Sequence, residues 1–396
     1  MNKENNNDIE QDNFDPNDEI KNWDELEIDI NLLRGIYAYG FEKPSPIQCK
    51  AIKPLLQGRD VISQAQSGCG KTATFVISAL SKVKLNEKTT QVLILSPTRE
   101  LSKQSFQVTE HIGSMMPELK LMNLVGGDSY QQDIQKLKMS PPHIITGCPG
   151  RIYDMLQRGA ILPEHIDFLV LDEADVLLSS DFKDQVYQIF QYLKQDVQVG
   201  LFSATLPSFV FPIVNKIMRN PVKIYVKAES LTLEGIRQYF VAVENDDQKY
   251  DTLKDLYSYL TVSQCIIYCN SVERVMHLYN CMKKDQFPVC CIHSNMDKTE
   301  RDNAFQEFKS GQQRVLISSN VTARGIDIQQ VSVVINFDIP HNVSTYLHRI
   351  GRSGRWGRKG TGINLITKKD VYKMKEIESY YSTEIKELPN SLQTLF

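Results

Sequence analysis

Three segments of this chain combine residue types suited to handling phosphate. In AQSGCGKT (65–72), small residues and glycines precede a lysine and a threonine. Such a turn lets consecutive backbone N–H groups wrap a polyphosphate, with Lys71 reaching the outer phosphates and the Thr72 hydroxyl facing a divalent cation. In LDEAD (171–175), carboxylates close an apolar run. A strand ending there delivers Asp172 as a metal-holding group and Glu173 as the group that activates water. In HRIGRSGR (348–355), Arg349, Arg352 and Arg355 supply planar cations for the charge that gathers during phosphoryl transfer.

Apolar runs of strand length position these segments. VISQA (61–65), VLILS (92–96), HIIT (143–146), FLVL (168–171) and GLFSA (200–204) form one series. QYFVAVE (238–244), CIIYC (265–269), VCCIH (289–293), RVLIS (314–318), VSVVINF (331–337) and GINLI (362–366) form a second. Helix-like stretches separate the runs, the alternation of βαβ units on a parallel sheet. The chain is therefore expected to be α/β with two similar domains, 23–225 and 237–396, joined by 226–236, a stretch with few large apolar residues. Residues 1–22, acidic and Asn-rich, read as a disordered tail. In open parallel sheets ligands gather beyond the C-terminal strand ends. Every motif stands just after a strand, so both sets are expected to face one shared cleft.

Composition narrows the class. With 41% hydrophobic and 23% charged residues the chain reads as globular, and no apolar run approaches the roughly 18 residues that span a bilayer. MNKENNNDIE has no apolar signal core, so an intracellular protein without a membrane partner is expected. The eight cysteines show no CxxC pairing and read as reduced thiols. Net charge is −3, of which residues 1–22 contribute −5 through seven acids and two bases, leaving +2 for the rest. Charge alone neither demands nor forbids a nucleic-acid partner.

Further segments join the first three: GFEKPSPIQ (40–48), SPTREL (96–101), GG (126–127), PGR (149–151), SAT (203–205) and ARGID (323–327). With these, the chain from Trp23 onward resembles the DEAD-box ATP-dependent RNA helicases, and within them the initiation-factor-4A group with its exon-junction paralogue. The resemblance implies two tandem RecA-like domains, each a mainly parallel sheet flanked by helices, with an interdomain cleft. It implies ATP and Mg²⁺ as cofactors. Ala65, Gln66, Ser67, Gly68, Cys69, Gly70, Lys71 and Thr72 would hold the phosphates, and Thr72 and Asp172 the Mg²⁺, partly through water. Phe41 would stack on adenine, although by residue type it is equally a core aromatic. Gln48 and the Lys43 backbone would read the base edge, a pairing that favours adenine, and Asp327 would hold the ribose. Lys71, Asp172, Glu173, Arg352 and Arg355 would be catalytic, while Ser203, Thr205, Asp175 and His348 would couple nucleotide state to domain closure.

By the same resemblance RNA, as single strands or short duplexes and without sequence preference, would meet Pro97, Thr98, Arg99, Gly127 and Arg151 in the first domain. In the second it would meet Asn270, Arg301, Ser319 and Arg324, the last equally suited to an internal role. The implied activity is an RNA-dependent ATPase and helicase acting on duplexes and ribonucleoproteins in translation initiation or mRNA processing. The alternative is an ATP-gated RNA clamp on which protein scaffolds or messenger-ribonucleoprotein factors assemble, in cytoplasm or nucleus. The chain departs from the family pattern at Trp23 (for Phe), Cys69 and Cys148 (for Thr), His293-Ser294-Asn295, Lys298 and Asn320. Asn295 and Asn320 replace acids and Lys298 replaces a neutral Gln, each a shift of one positive charge. If these side chains approach phosphates, they should tighten the grip on RNA.

Overall fold

Each of the two apolar series forms a sheet of seven parallel strands. The computed structural model describes residues 13–65, 68–179, 182–225, 236–259, 264–320, 331–351, 353, 360–381 and 383–389. The first sheet holds β1 (Val61–Gln64), β2 (Val92–Leu95), β3 (Leu121–Leu124), β4 (Ile144–Gly147), β5 (Phe168–Asp172), β6 (Gln198–Ser203) and β7 (Val222–Tyr225), in spatial order β3-β4-β2-β5-β6-β1-β7. The second holds β8 (Ile236–Ala242), β9 (Cys265–Tyr268), β10 (Val289–Ile292), β11 (Val315–Ser318), β12 (Val333–Asn336), β13 (Gly360–Ile366) and β14 (Lys386–Glu387), in order β10-β11-β9-β12-β13-β8-β14. Each sheet belongs to its own unit, Met1–Ala228 and Glu229–Phe396.

The strands are continuous apolar runs because both faces of each sheet are covered. Successive side chains point to opposite faces, and in β1 Val61 joins one core while Ile62 joins the other. Val92 and Ile94 likewise separate from Leu93 and Leu95. In the second sheet Cys265 and Ile267 face one core and Ile266 and Tyr268 the other, and the neighbours Cys290 and Cys291 divide the same way. These cysteines act as small core residues. Burial pushes the Cys265, Cys269 and Cys290 thiols up to about 12, and all eight cysteines are free.

Three strands are absent from the apolar runs of the sequence, and all three lie at sheet edges. β3 buries only Leu124 fully, β7 alternates buried with half-buried residues, and β14 has two exposed residues. An edge strand is covered less completely, so its apolar signal is diluted.

Residues 13–22, expected to belong to a disordered tail, pack on the first unit, and residues 1–12 lie outside the described residues. Asn13 Oδ1 accepts from the Lys223 N–H at 2.6 Å, and the Ile20 N–H donates to Cys49 O at 3.0 Å. Ile20 is buried, while the Asp18 carboxylate sits 3.6 Å from Lys53 Nζ. One apolar anchor and edge hydrogen bonds thus override an acidic composition. At the other boundary Ile236 is already in β8, and the remainder of the expected link, 226–235, lies outside the described residues.

The helix Lys71–Lys82 runs inside the first unit, with Ala73, Phe75, Val76, Ile77, Ala79 and Leu80 buried. Phe75 meets Phe202 of β6 edge-on, 5.2 Å between ring centroids. The helix Pro46–Leu56 packs beside it. Removing the Ile20 anchor should loosen the N-terminal segment: Ile20→Ala is expected to lower stability by about 2 kcal/mol, read as an earlier first transition in urea unfolding. An unchanged transition would mean that residues 13–22 contribute no packing.

Candidate functional site

The turn after β1 is fixed by its neighbours before any ligand arrives. Gly70 caps the helix Lys71–Lys82 with φ 96°, a conformation that favours glycine. A Cβ added there would lie 2.8 Å from both Gln48 Nε2 and Ser45 Oγ. Those two atoms hold the turn: Ser45 Oγ donates to Cys69 O at 2.8 Å and Gln48 Nε2 to Gly70 O at 3.3 Å. Gln48 Oε1 accepts from the Ser45 N–H at 2.6 Å, closing a capping box on the helix Pro46–Leu56. The Lys71 ammonium is buried and donates to Ala65 O at 2.6 Å. Gln66 and Ser67 lie outside the described residues.

Next to this turn the ends of β5 and β6 gather five polar side chains. Asp172, Glu173, Asp175 and Thr205 are buried, as is Ser203. Burial first, then the neighbouring Glu173, pushes the Asp172 carboxyl up to about 7, and the Lys71 cation pulls the other way. Glu173 has φ 53° and ψ 53°, a left-handed backbone that a non-glycine residue adopts at a cost of about 1 kcal/mol or more. Asp175 divides its oxygens, Oδ1 accepting from Ser203 Oγ at 2.8 Å and Oδ2 from Thr205 Oγ1 at 2.9 Å. The segments 172–175 and 203–205 are therefore tied through one carboxylate. Crowded, buried carboxylates beside a lysine and a helix N-terminus form the donor set that a polyphosphate with a divalent cation fits.

Phe41 is half-buried on the first core, 4.8 Å from the Tyr39 ring and 6.4 Å from that of Trp23. Trp23 is fully buried, and its indole N–H donates to Phe41 O at 3.0 Å, so the larger aromatic braces this segment. Lys43 is exposed. Both ends of the Gln48 amide engage the chain itself, a structural duty that its motif did not announce. Ser45 was not among the expected residues, although an S-x-x-Q spacing after a proline-rich turn is the signature of a capping box.

The other strand ends of the first sheet carry the expected nucleic-acid residues. Pro97 is buried; Thr98 caps the helix Arg99–Ile112, its Oγ1 accepting from the Leu101 N–H at 3.3 Å. Gly127 is exposed with φ 99°. The guanidinium of Arg99 covers Gly126, where an added Cβ would lie 3.3 Å from Nη2. Arg151 is committed within the protein, paired with Asp133 and donating to Asp128 O at 2.8 Å. It braces the 126–128 turn.

In the second unit, Asn270 Nδ2 donates to Ile339 O at 2.8 Å, and the Asn270 N–H to Asp338 Oδ2 at 3.1 Å. Arg301 is largely buried, with Nη2 donating to His293 O at 3.3 Å, so it supports the His293-Ser294-Asn295 turn from below. Ser319 and His348 are buried. Arg349 departs from its expected role at the phosphates: it is fully buried and its donors are taken up inside the unit. Asn320 is exposed, and its Oδ1 accepts from Arg349. Asn295 is exposed, and the side chain of Lys298 lies outside the described residues, as do Arg324, Asp327, Arg352 and Arg355.

A family model described as DEAD/DEAH box helicase matches residues 45–211, and one described as helicase conserved C-terminal domain matches 248–357. The chain belongs to the DEAD-box helicases, and its two parallel sheets resemble their tandem RecA-like domains. Within that family it is 49% identical over 376 residues to "Eukaryotic initiation factor 4A" of Caenorhabditis elegans, covering 95% of this chain and 93% of that protein. It is also 49% identical over 377 residues to "ATP-dependent RNA helicase eIF4A" of Lodderomyces elongisporus, covering 95% and 94%. Among solved structures, S. cerevisiae Dbp5 bound to RNA and ADP BeF3 superposes with a TM-score of 0.88 at 34% identity, over 95% of this chain and 97% of that one.

The crowding at Gly70 generates a direct test. Gly70→Ala combines a disfavoured φ with contact against Ser45 and Gln48, so the turn must shift. Binding of a fluorescent ATP analogue should fall about tenfold or more while the far-ultraviolet spectrum stays native; retained affinity would show that the turn tolerates a methyl group.

Proposed function

We propose that this chain is an RNA-dependent ATPase and ATP-dependent RNA helicase, acting on RNA duplexes and ribonucleoproteins in the manner of initiation-factor-4A relatives. The observation that carries the reading is the convergence of Lys71, Glu173 and Asp175 on the buried Asp172 carboxyl at the strand ends of the first unit. The names of the relatives, and the RNA and nucleotide analogue bound to the solved neighbour, support it.

In this reading the amides of the 65–72 turn bind the phosphates, and the Lys71 ammonium exchanges Ala65 O for a phosphate oxygen. Mg²⁺, held by Asp172 and Thr72, would offset charge on the phosphates. Glu173 orients the attacking water and accepts its proton. Phe41 offers a ring face to the base, and Lys43 its backbone. Gln48 Nε2 has two hydrogens, so it can keep Gly70 O and still donate to adenine. Asp175 holds Ser203 and Thr205 to the catalytic carboxylates, which gives nucleotide state a mechanical link to the next segment. Arg352 and Arg355 act as fingers on the charge developing in the transition state. RNA lies on the strand-end segments through its sugar–phosphate backbone, with little base preference. Because RNA and ATP favour the same state, each tightens the other by an equal factor.

Lys71→Ala is expected to abolish productive ATP binding, and substantial retained RNA-stimulated hydrolysis would refute the phosphate-turn role. Glu173→Gln should bind ATP and RNA yet turn over at least about a hundredfold more slowly, so the protein should accumulate on labelled RNA in ATP; rapid release would count against Glu173 as base. Arg352→Ala and Arg355→Ala should each depress turnover about a thousandfold and leave ATP affinity nearly unchanged. Comparable stimulation of native ATPase by single-stranded DNA and RNA would exclude RNA dependence.

A further inference from the structure

Arg349 is a fully buried cation whose hydrogen bonds all go to neutral acceptors. It stands in the helix Val343–Ile350, three positions before Arg352. Nε and Nη2 both donate to Asn320 Oδ1, at 2.9 and 2.6 Å, and Nη2 also to Asn270 Oδ1 at 2.7 Å. Nη1 donates to Asn336 Oδ1 at 3.1 Å and to Asp338 O at 2.7 Å. The Tyr268 ring lies 5.2 Å from Cζ. The acceptors come from the ends of three strands: Asn270 follows β9, Asn320 follows β11, and Asn336 and Asp338 close β12. The Asp338 carboxylate is engaged elsewhere, with Arg274 at 2.7 Å and Lys249 at 3.5 Å.

Burying a guanidinium without a carboxylate against it is unfavourable, and an apolar side chain would fill the same volume more stably. What the cation provides is geometry. Only a rigid fork with five N–H donors can reach three strand ends at once. The tied segments are the ones that matter: Asn270 itself, Ser319 beside Asn320, the entry to 321–330, and the helix leading to Arg352. The grip at Asn320 is the weak point, because one amide oxygen takes two N–H groups that a carboxylate would receive on two oxygens as an ion pair. Asn320 is exposed as a residue, so a carboxylate there would remain hydrated on its outer side.

We propose that Arg349 is a positioning residue that locks the RNA-facing strand ends of the second unit to the finger helix, and that the neutral Asn320 keeps this lock loose. The proposal rests on the functional reading above. It reverses the sign expected if Asn320 simply lacked a negative charge near RNA phosphates. Under that simpler view Asn320→Asp repels RNA; under the lock it organises the RNA-facing segments in advance and strengthens binding.

The test measures RNA-stimulated ATPase of the full chain, with turnover, the RNA concentration for half-stimulation and the ATP KM resolved separately. Asn320→Asp should lower the half-stimulating RNA concentration by about threefold or more with the ATP KM within about twofold. Arg349→Lys, which keeps charge but loses the fork, should reduce turnover by about tenfold or more at saturating RNA and ATP. In the double variant the gain from Asn320→Asp should vanish, since its partner is gone. Unchanged or weaker RNA response in Asn320→Asp overturns the proposal, as does an equal effect of that substitution in both backgrounds. If Arg349→Lys fails to fold, the direction of the Asn320→Asp effect decides alone. Should native ATPase ignore RNA, the functional reading fails first; the lock is then judged by hydrogen exchange, where Asn320→Asp must slow exchange at 268–271 and 318–320, and unaltered exchange overturns it.

Discussion

Two-sided burial of parallel sheets is the constraint from which the rest of this molecule follows. With both faces covered, a strand can expose polar groups only where it ends, and in an all-parallel sheet every C-terminal end emerges on the same edge. In the first unit that edge receives Ala65 after β1, Pro97 after β2, Gly127 after β3, Arg151 after β4, Asp172 and Glu173 at β5, and Ser203 and Thr205 at β6. Residues more than a hundred positions apart are gathered by topology, without a dedicated contact for each. The second unit repeats the solution with Asn270, Ser319 and Asp338.

What was legible in the sequence follows from the same constraint. Runs such as VLIL and VVIN are apolar throughout because both of their faces are buried, and they mark central strands clearly. LMNL and VKIY are edge strands with one side less covered, so their polar residues hid them. The acidic segment 13–22 misled for a related reason: composition averages over a stretch, whereas one buried Ile20 and a few main-chain bonds decide its docking. The motifs could be read as positions in the sequence, yet the partners of their residues could not. Nothing in PGR announces that Arg151 will pair with Asp133, and nothing in HRIGRSGR announces that Arg349 will be fully buried.

The two units treat buried charge in opposite ways. In the first, burial and then the neighbouring Glu173 drive the Asp172 carboxyl up to about 7, and the nearby Lys71 only partly offsets them. That arrangement stores electrostatic demand for a cation and a polyphosphate, and Glu173 adds a left-handed backbone. Such strain is expected where ligand binding relieves it. In the second, burial holds the Arg349 guanidinium down to about 10, yet its hydrogen bonds are met from within. A saturated cation has little left to offer a ligand and much to offer the backbone around it.

Under the proposed function, the contrast gives a reason for arginines of one motif to divide their labour. A guanidinium that must meet a transient charge has to keep its donors unused until that charge appears, and so cannot also serve as a structural tie. One that fixes three strand ends must spend its donors on them. Spacing places Arg349 at the end of the helix Val343–Ile350 and Arg352 beyond it, so the helix hands the first inward to the sheet and leaves the later two to the segment that follows. Anchoring and chemistry then depend on each other through three residues of chain. Under the proposed function, the precision with which Arg352 and Arg355 are presented is set by acceptors at and just beyond the ends of β9, β11 and β12.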